Sequence, residues 1–223
     1  MSANAPVEGV ARGVYPAWLK VGFWICVVIA VAVVLRRVAV LAHPGQGGSG
    51  GLSPTAALDA VFASHAALTL AHIVPAMAFV LLSPLVLLQR PTTMWAERLF
   101  FPLGAWVGVT AYAMSAYPVG GWVERSAVLL FNSLFLFSLL RAFVAVRRGD
   151  AVERMRWMLR AVAILLGIAT TRPGMGVFFA TSRLTHLEPA QFFGIAFWIG
   201  FSINTIAIEL WLRSRGNRLP VAG

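Results

Sequence analysis

Apolar residues in this chain come in six long runs, with polar residues, prolines and glycines gathered between them. The runs cover Trp18 to Leu35, Ala60 to Leu88, Leu99 to Tyr117, Trp122 to Val146, Trp157 to Ala180 and Pro189 to Leu212. Each approaches or exceeds the ~20 helical residues needed to cross a bilayer core. The pattern therefore predicts an all-α fold, a polytopic transmembrane helical bundle of about six spans. Three parts follow: a polar lead at 1–17, a six-helix transmembrane domain at 18–212, and a basic tail at 213–223 carrying Arg213, Arg215 and Arg218.

The punctuation between runs agrees with this division. Residues 43–54, HPGQGGSGGLSP, read as a flexible connection. They lack the lysine of a phosphate-binding loop and the spacing of a dinucleotide fingerprint. Tyr117-Pro118-Val119-Gly120-Gly121 reads as a turn, and the stretch RRGDAVERMR is the most charged of the chain. Val40 and Ala42 resemble a cleavage site, so a cleaved signal peptide competes for the first run; the Arg36-Arg37 pair after the apolar residues argues against it. Within the third run, Gly104-x-x-x-Gly108 is a candidate close helix contact.

Composition excludes an ordinary soluble enzyme. Hydrophobic residues make up 59% and charged residues 12%, against roughly 45–50% and 25% in soluble domains. The mean hydropathy is +0.80. A net charge of +10 would suggest nucleic acid in a soluble protein. Here no nucleic-acid partner is expected, because the basic residues sit at the ends of apolar runs and set orientation. With both termini cytoplasmic, the inner segments carry twelve basic residues and the outer segments four: Arg36, Arg37, Arg125 and Arg183. That bias places the chain in a bacterial cytoplasmic (inner) membrane, with membrane lipids as its first partners. Cys26 stands alone, which excludes an intramolecular disulfide and a thiolate zinc site.

Ionisable groups inside hydrocarbon cost several kcal/mol unless paired or solvated, so they carry the candidate chemistry. Arg172 is the strongest case. It lies in Ala169-Thr170-Thr171-Arg172-Pro173-Gly174-Met175-Gly176, where Pro173 cannot donate to the Ala169 carbonyl and two glycines weaken the helix. A kink or opening is expected there, with a fixed cation beside a cavity suited to a head group, a carboxylate or a haem propionate. The competing reading is an arginine that snorkels to the surface.

His65 and His72 are seven residues apart and so share one helical face. Three uses stand open: haem or another redox cofactor, a proton or polar-ligand site, or hydrogen-bonded packing. One haem cannot take both as axial ligands, so haem b with His72 as first ligand needs a second ligand from another helix. By depth His65, His72, Tyr112, Ser115, Arg172 and His186 fall in the outer half and predict one outward-opening polar pocket. Asn132, Asn204 and Glu209 form a second, scattered polar set. No hydrolase or transferase motif is present.

Two strings are distinctive. One is His72-Ile73-Val74-Pro75 through Ser83-Pro84-Leu85-Val86-Leu87-Leu88-Gln89-Arg90; the other is Arg154-Met155-Arg156-Trp157-Met158-Leu159-Arg160, with Arg172-Pro173 twelve residues on. Over roughly residues 60–212 they resemble the DUF2306 family of predicted bacterial multi-pass membrane proteins. The family's tryptophan string is usually preceded by a histidine; Met155 and Arg156 stand there in this chain, and no role of that histidine carries over. The resemblance implies fold and location, not chemistry. Three functions are therefore compared: a protein binding a small ligand or lipid, a haem- or quinone-linked electron-transfer subunit, and an accessory subunit whose apolar surface is covered by a membrane-protein partner or a second copy.

Overall fold

The computed structural model describes residues 15–42, 56–87, 94–186 and 189–215. They form seven helices: α1 (Ala17–Ala42), α2 (Ala56–Ser64), α3 (Ala66–Leu87), α4 (Met94–Met114), α5 (Gly121–Arg148), α6 (Ala151–Thr185) and α7 (Pro189–Arg215). The fold is an all-α membrane bundle. Five helices, all but α2 and α4, are long and apolar enough to cross a bilayer. α4 falls short because Glu97 and Arg98 enter every 18-residue window of its 21 residues. The second apolar run is divided: α2 stops at Ser64 and α3 starts at Ala66, with Thr69 bonding back across the junction from its N–H to the His65 carbonyl (2.9 Å) and from its hydroxyl to the Phe62 carbonyl (3.2 Å).

Local chemistry sets the turns. Gly149 ends α5 at φ 71°, a left-handed conformation that glycine adopts without a Cβ clash, and donates to the Ala145 and Val146 carbonyls. Asp150 then caps α6, its Oδ1 accepting the Glu153 N–H at 2.8 Å. At the start of α5, Glu124 reaches back to accept the Gly120 N–H at 2.6 Å.

α6 packs against α5 and α7, and α4 lies between α3 and α5. Phe79, Phe100, Phe135 and Met158 are fully enclosed. Small residues let the helices approach. A Cβ on Gly200 would meet the Thr171 nitrogen at 2.7 Å and the Gly167 oxygen at 2.9 Å. Gly104 lies against Leu139 and Phe79, and Gly108 against Leu136, so the G-x-x-x-G segment is a close contact. α1 packs on α3 and α6 and buries only Val27 and Ala30, leaving Trp18, Trp24, Val28 and Leu35 exposed. Such a helix suits lipid rather than water.

One end of the bundle is tied by ion pairs. Arg154 on α6 meets Glu97 on α4 at 3.1 Å, Arg141 on α5 meets Glu153 at 2.5 Å, and Arg160 on α6 pairs with Glu209 on α7. The Trp157 ring lies under both Arg141 and Arg160 and donates its indole N–H to Glu153. Tyr15 packs on Trp211 at the same end, where burial raises its phenol pKa. Asn132 and Asn204 each bridge helices, but not to one another: Asn132 donates to the Gly108 carbonyl, Asn204 to the Ala163 carbonyl.

Candidate functional site

Toward the opposite end, α1 and α3 to α7 enclose a cavity of about 220 Å³. Its lining on α3 runs from Thr69 to Val80, which at ~1.5 Å per residue makes it roughly 16 Å deep. Most of the wall is apolar, with Phe131, Phe135, Phe193, Phe197 and Phe201 prominent. The polar exceptions carry the chemistry.

Arg172 lines the cavity from α6. The helix does not open there: α6 continues through Pro173, which is exposed, to Thr185. The proline points away from the packed side, and the missing backbone bond leaves the helix unbroken. Arg160 opposite Glu209 and Phe178 stacked on Phe192 set the antiparallel register of α6 and α7. That register puts Arg172 about level with Trp198, whose indole donates to the Val123 carbonyl and to Ser126 near the start of α5. The guanidinium's one hydrogen bond to described residues goes to the Met175 sulfur at 3.7 Å, and its buried Nε has no partner. No ion pair reaches it among the described residues.

His72 is turned by α4. Its Nδ1 lies 2.9 Å from Thr110 Oγ1. The single hydroxyl proton of Thr110 is directed to its own helix, toward the Trp106 carbonyl at 2.8 Å and the Val107 carbonyl at 3.1 Å. With that proton on a carbonyl, Thr110 accepts, Nδ1 carries the imidazole proton and Nε2 holds a lone pair. Val107 is a further backbone partner on that side of the ring. Asn132 gives one amide N–H to the Gly108 carbonyl of α4, which leaves the side-chain oxygen and the second N–H on a cavity-lining residue. Thr69 and Ser115 donate their hydroxyl protons to the Phe62 and Tyr112 carbonyls.

Of the six site residues expected from sequence, the cavity brings together Arg172, His72 and Ser115. The other three stand elsewhere. His65 stacks on Tyr117 with ring centroids 3.9 Å apart and bonds Ser64. Tyr112 turns to the opposite side of α4 and meets Ser133 at 2.7 Å. His186 is exposed just beyond α6, at φ 52°. Among the described histidines, His72 lines the cavity and His65 and His186 do not. No cluster of three or more His, Cys, Asp or Glu side chains suited to a metal occurs among the described residues.

Sequence reasoning passed over three lining residues. Glu124 reads as an ordinary first-turn acid, yet it lines the cavity while capping its own helix. Arg37 reads as an interfacial cation, yet it also lines the cavity and lies over Phe62 at 4.3 Å. Tyr117 reads as a turn residue. Their shared address depends on helix packing; the one signal available was that all three fall at the same end of their runs.

Comparison with known proteins agrees with the membrane reading. No curated protein matches the chain, and no solved structure does. The match to a family described as a predicted membrane protein, DUF2306, spans residues 69–212 and so contains His72, Glu124, Asn132 and Arg172, while α1 with Arg37 lies before it. An all-α bundle with five clear spans and a family match over more than half its length make this a bacterial multi-pass membrane protein, in keeping with a place in the inner membrane, and the chain belongs to the DUF2306 family.

Proposed function

We propose that this protein binds an anionic, lipid-soluble small molecule in the cavity between α1 and α3–α7. The observation that carries the reading is Arg172: a largely buried guanidinium on an apolar wall whose hydrogen bonding to the described residues amounts to one thioether contact. A cation in such a place costs several kcal/mol unless something neutralises it, and an anionic ligand supplies that charge. Glu124 lines the same cavity, and its carboxylate is engaged by the Gly120 N–H.

Six spans belong to this reading, with α2 and α3 together forming the second and α4 the third. The ends of α1, α4 and α6 then lie outside with the cavity, and the ion-paired end with its excess of arginines lies in the cytoplasm. Cysteines placed at Arg125 and at Arg215 in a Cys26→Ser background test this. An impermeant maleimide on intact spheroplasts should label position 125 alone; the reverse result overturns the orientation.

Binding is tested by native mass spectrometry of protein released from nanodiscs made directly from the producing membranes. A copurifying organic anion at about one per chain, lost in Arg172→Met and retained in Arg172→Lys, supports the reading. Bare protein in both wild type and variant overturns it.

A further inference from the structure

The cavity's polar wall is lopsided, and the lopsidedness says what its occupant must bring. Each lining hydroxyl whose bonding is defined, Thr69 and Ser115, spends its proton on a backbone carbonyl. His72 and Asn132 spend theirs on α4, toward Thr110 and Gly108. What these four side chains leave for the cavity are mainly lone pairs: imidazole Nε2, amide Oδ1 and two hydroxyl oxygens, with the second Asn132 N–H as the remaining donor. The exception in sign is arginine: no ion pair reaches Arg172 among the described residues. Helix contacts place Asn132 and His72 in one band: Gly108 and Thr110 are half a turn apart on α4, which sets their partners at neighbouring levels. Arg172, level with Trp198 whose indole meets Val123 and Ser126, stands nearer the start of α5. Phe135 and Val80 close the cavity below the band.

Resting on the anion-binding reading, we infer that the occupant also carries a hydroxyl donor: the site selects hydroxylated acyl anions over plain ones. The anion meets Arg172, the hydroxyl proton goes to His72 Nε2 or Asn132 Oδ1, and the chain fills the phenylalanine-lined well. A site built of buried acceptors discriminates against an analogue that lacks the donor, because the acceptors then lose water without gaining a partner.

The test uses full-length protein in detergent and tritiated 3-hydroxydecanoate in a scintillation-proximity assay, with competition by 3-hydroxydecanoate, decanoate and decanol. The hydroxy acid should compete at least about tenfold better than decanoate, and decanol should compete least. His72→Phe should bring the hydroxy acid to decanoate level, whereas His72→Gln, which keeps an acceptor, should restore part of the preference. Both variants are first shown to be monodisperse by size exclusion. Equal competition by the two acids, with loss in Arg172→Met, overturns the hydroxyl inference and leaves anion binding standing. No saturable binding of either acid, or binding indifferent to Arg172→Met, overturns both.

Discussion

The imidazole of His72 and the hydroxyl of Thr110 meet across α3 and α4 at 2.9 Å, while the same hydroxyl lies 2.8 Å from the Trp106 carbonyl. A threonine one helix away thus decides which ring nitrogen is left with a lone pair. Thr110→Val removes the acceptor at nearly constant volume. One interhelical bond of this kind is worth ~0.6 kcal/mol in a membrane bundle, so the melting temperature should fall by only about 1–3 °C. Affinity for 3-hydroxydecanoate should fall by about tenfold, because the ring is freed to turn. A large loss of stability with unchanged binding would make the bond structural alone.

Gly200 and Gly174 differ in what surrounds them. Gly200 faces Thr171 and the Gly167 carbonyl at the α6–α7 contact, whereas a Cβ on Gly174 meets nothing within 4 Å. Gly200→Ala forces these helices apart and should cost about 1–3 kcal/mol. Gly174→Ala should be neutral or stabilise by up to ~1 kcal/mol through helix propensity. Thermal unfolding in one detergent separates them; equal melting temperatures would argue against the α6–α7 register.

Cys26 on α1 contacts Thr170 on α6 at 3.6 Å. Thr170→Cys in the otherwise native chain should therefore form a disulfide with Cys26 under mild oxidation, since a cysteine at 170 brings its sulfur close to disulfide reach. Cleavage at a protease site inserted into residues 43–55 reads the result on a gel: one band when oxidised, two when reduced. Two bands in both states would displace α1 from its place against α6.

Arg160 and Glu209 join α6 to α7 at the proposed cytoplasmic end, with side chains only 17% and 29% exposed. Removing either partner alone leaves a half-buried charge, and Arg160→Met or Glu209→Met should each cost about 1–3 kcal/mol. The double variant should cost less than the sum of the two. Denaturant melts in mixed micelles provide the cycle; full additivity would mean that the pair contributes nothing through its own contact.

Much of the architecture was legible before any coordinates. Five runs are helices that span by length and hydropathy, and the G-x-x-x-G segment is a close contact. The site was legible only in part. Arg172 and His72 announced themselves as ionisable groups in apolar surroundings, but His65 and Tyr112, judged by depth alone, turn to other partners. Depth follows from position along a run, whereas azimuth about each helix axis is set by what packs beside it. Glu124 and Arg37 were not assigned to the cavity for the same reason.

The amino-acid sequence by itself determined that this chain lives in a membrane, about where its spanning helices lie, and which polar residues fall inside apolar runs. Those properties are local: hydropathy over some twenty residues, prolines and glycines at turns, charges at run ends. Only the tertiary structure decided which polar groups share a cavity and which lone pairs they present to it. A lone pair is free or spent according to a neighbour on another helix, as Thr110 does for His72 and the Gly108 carbonyl for Asn132, and that neighbour lies dozens of residues away along the chain.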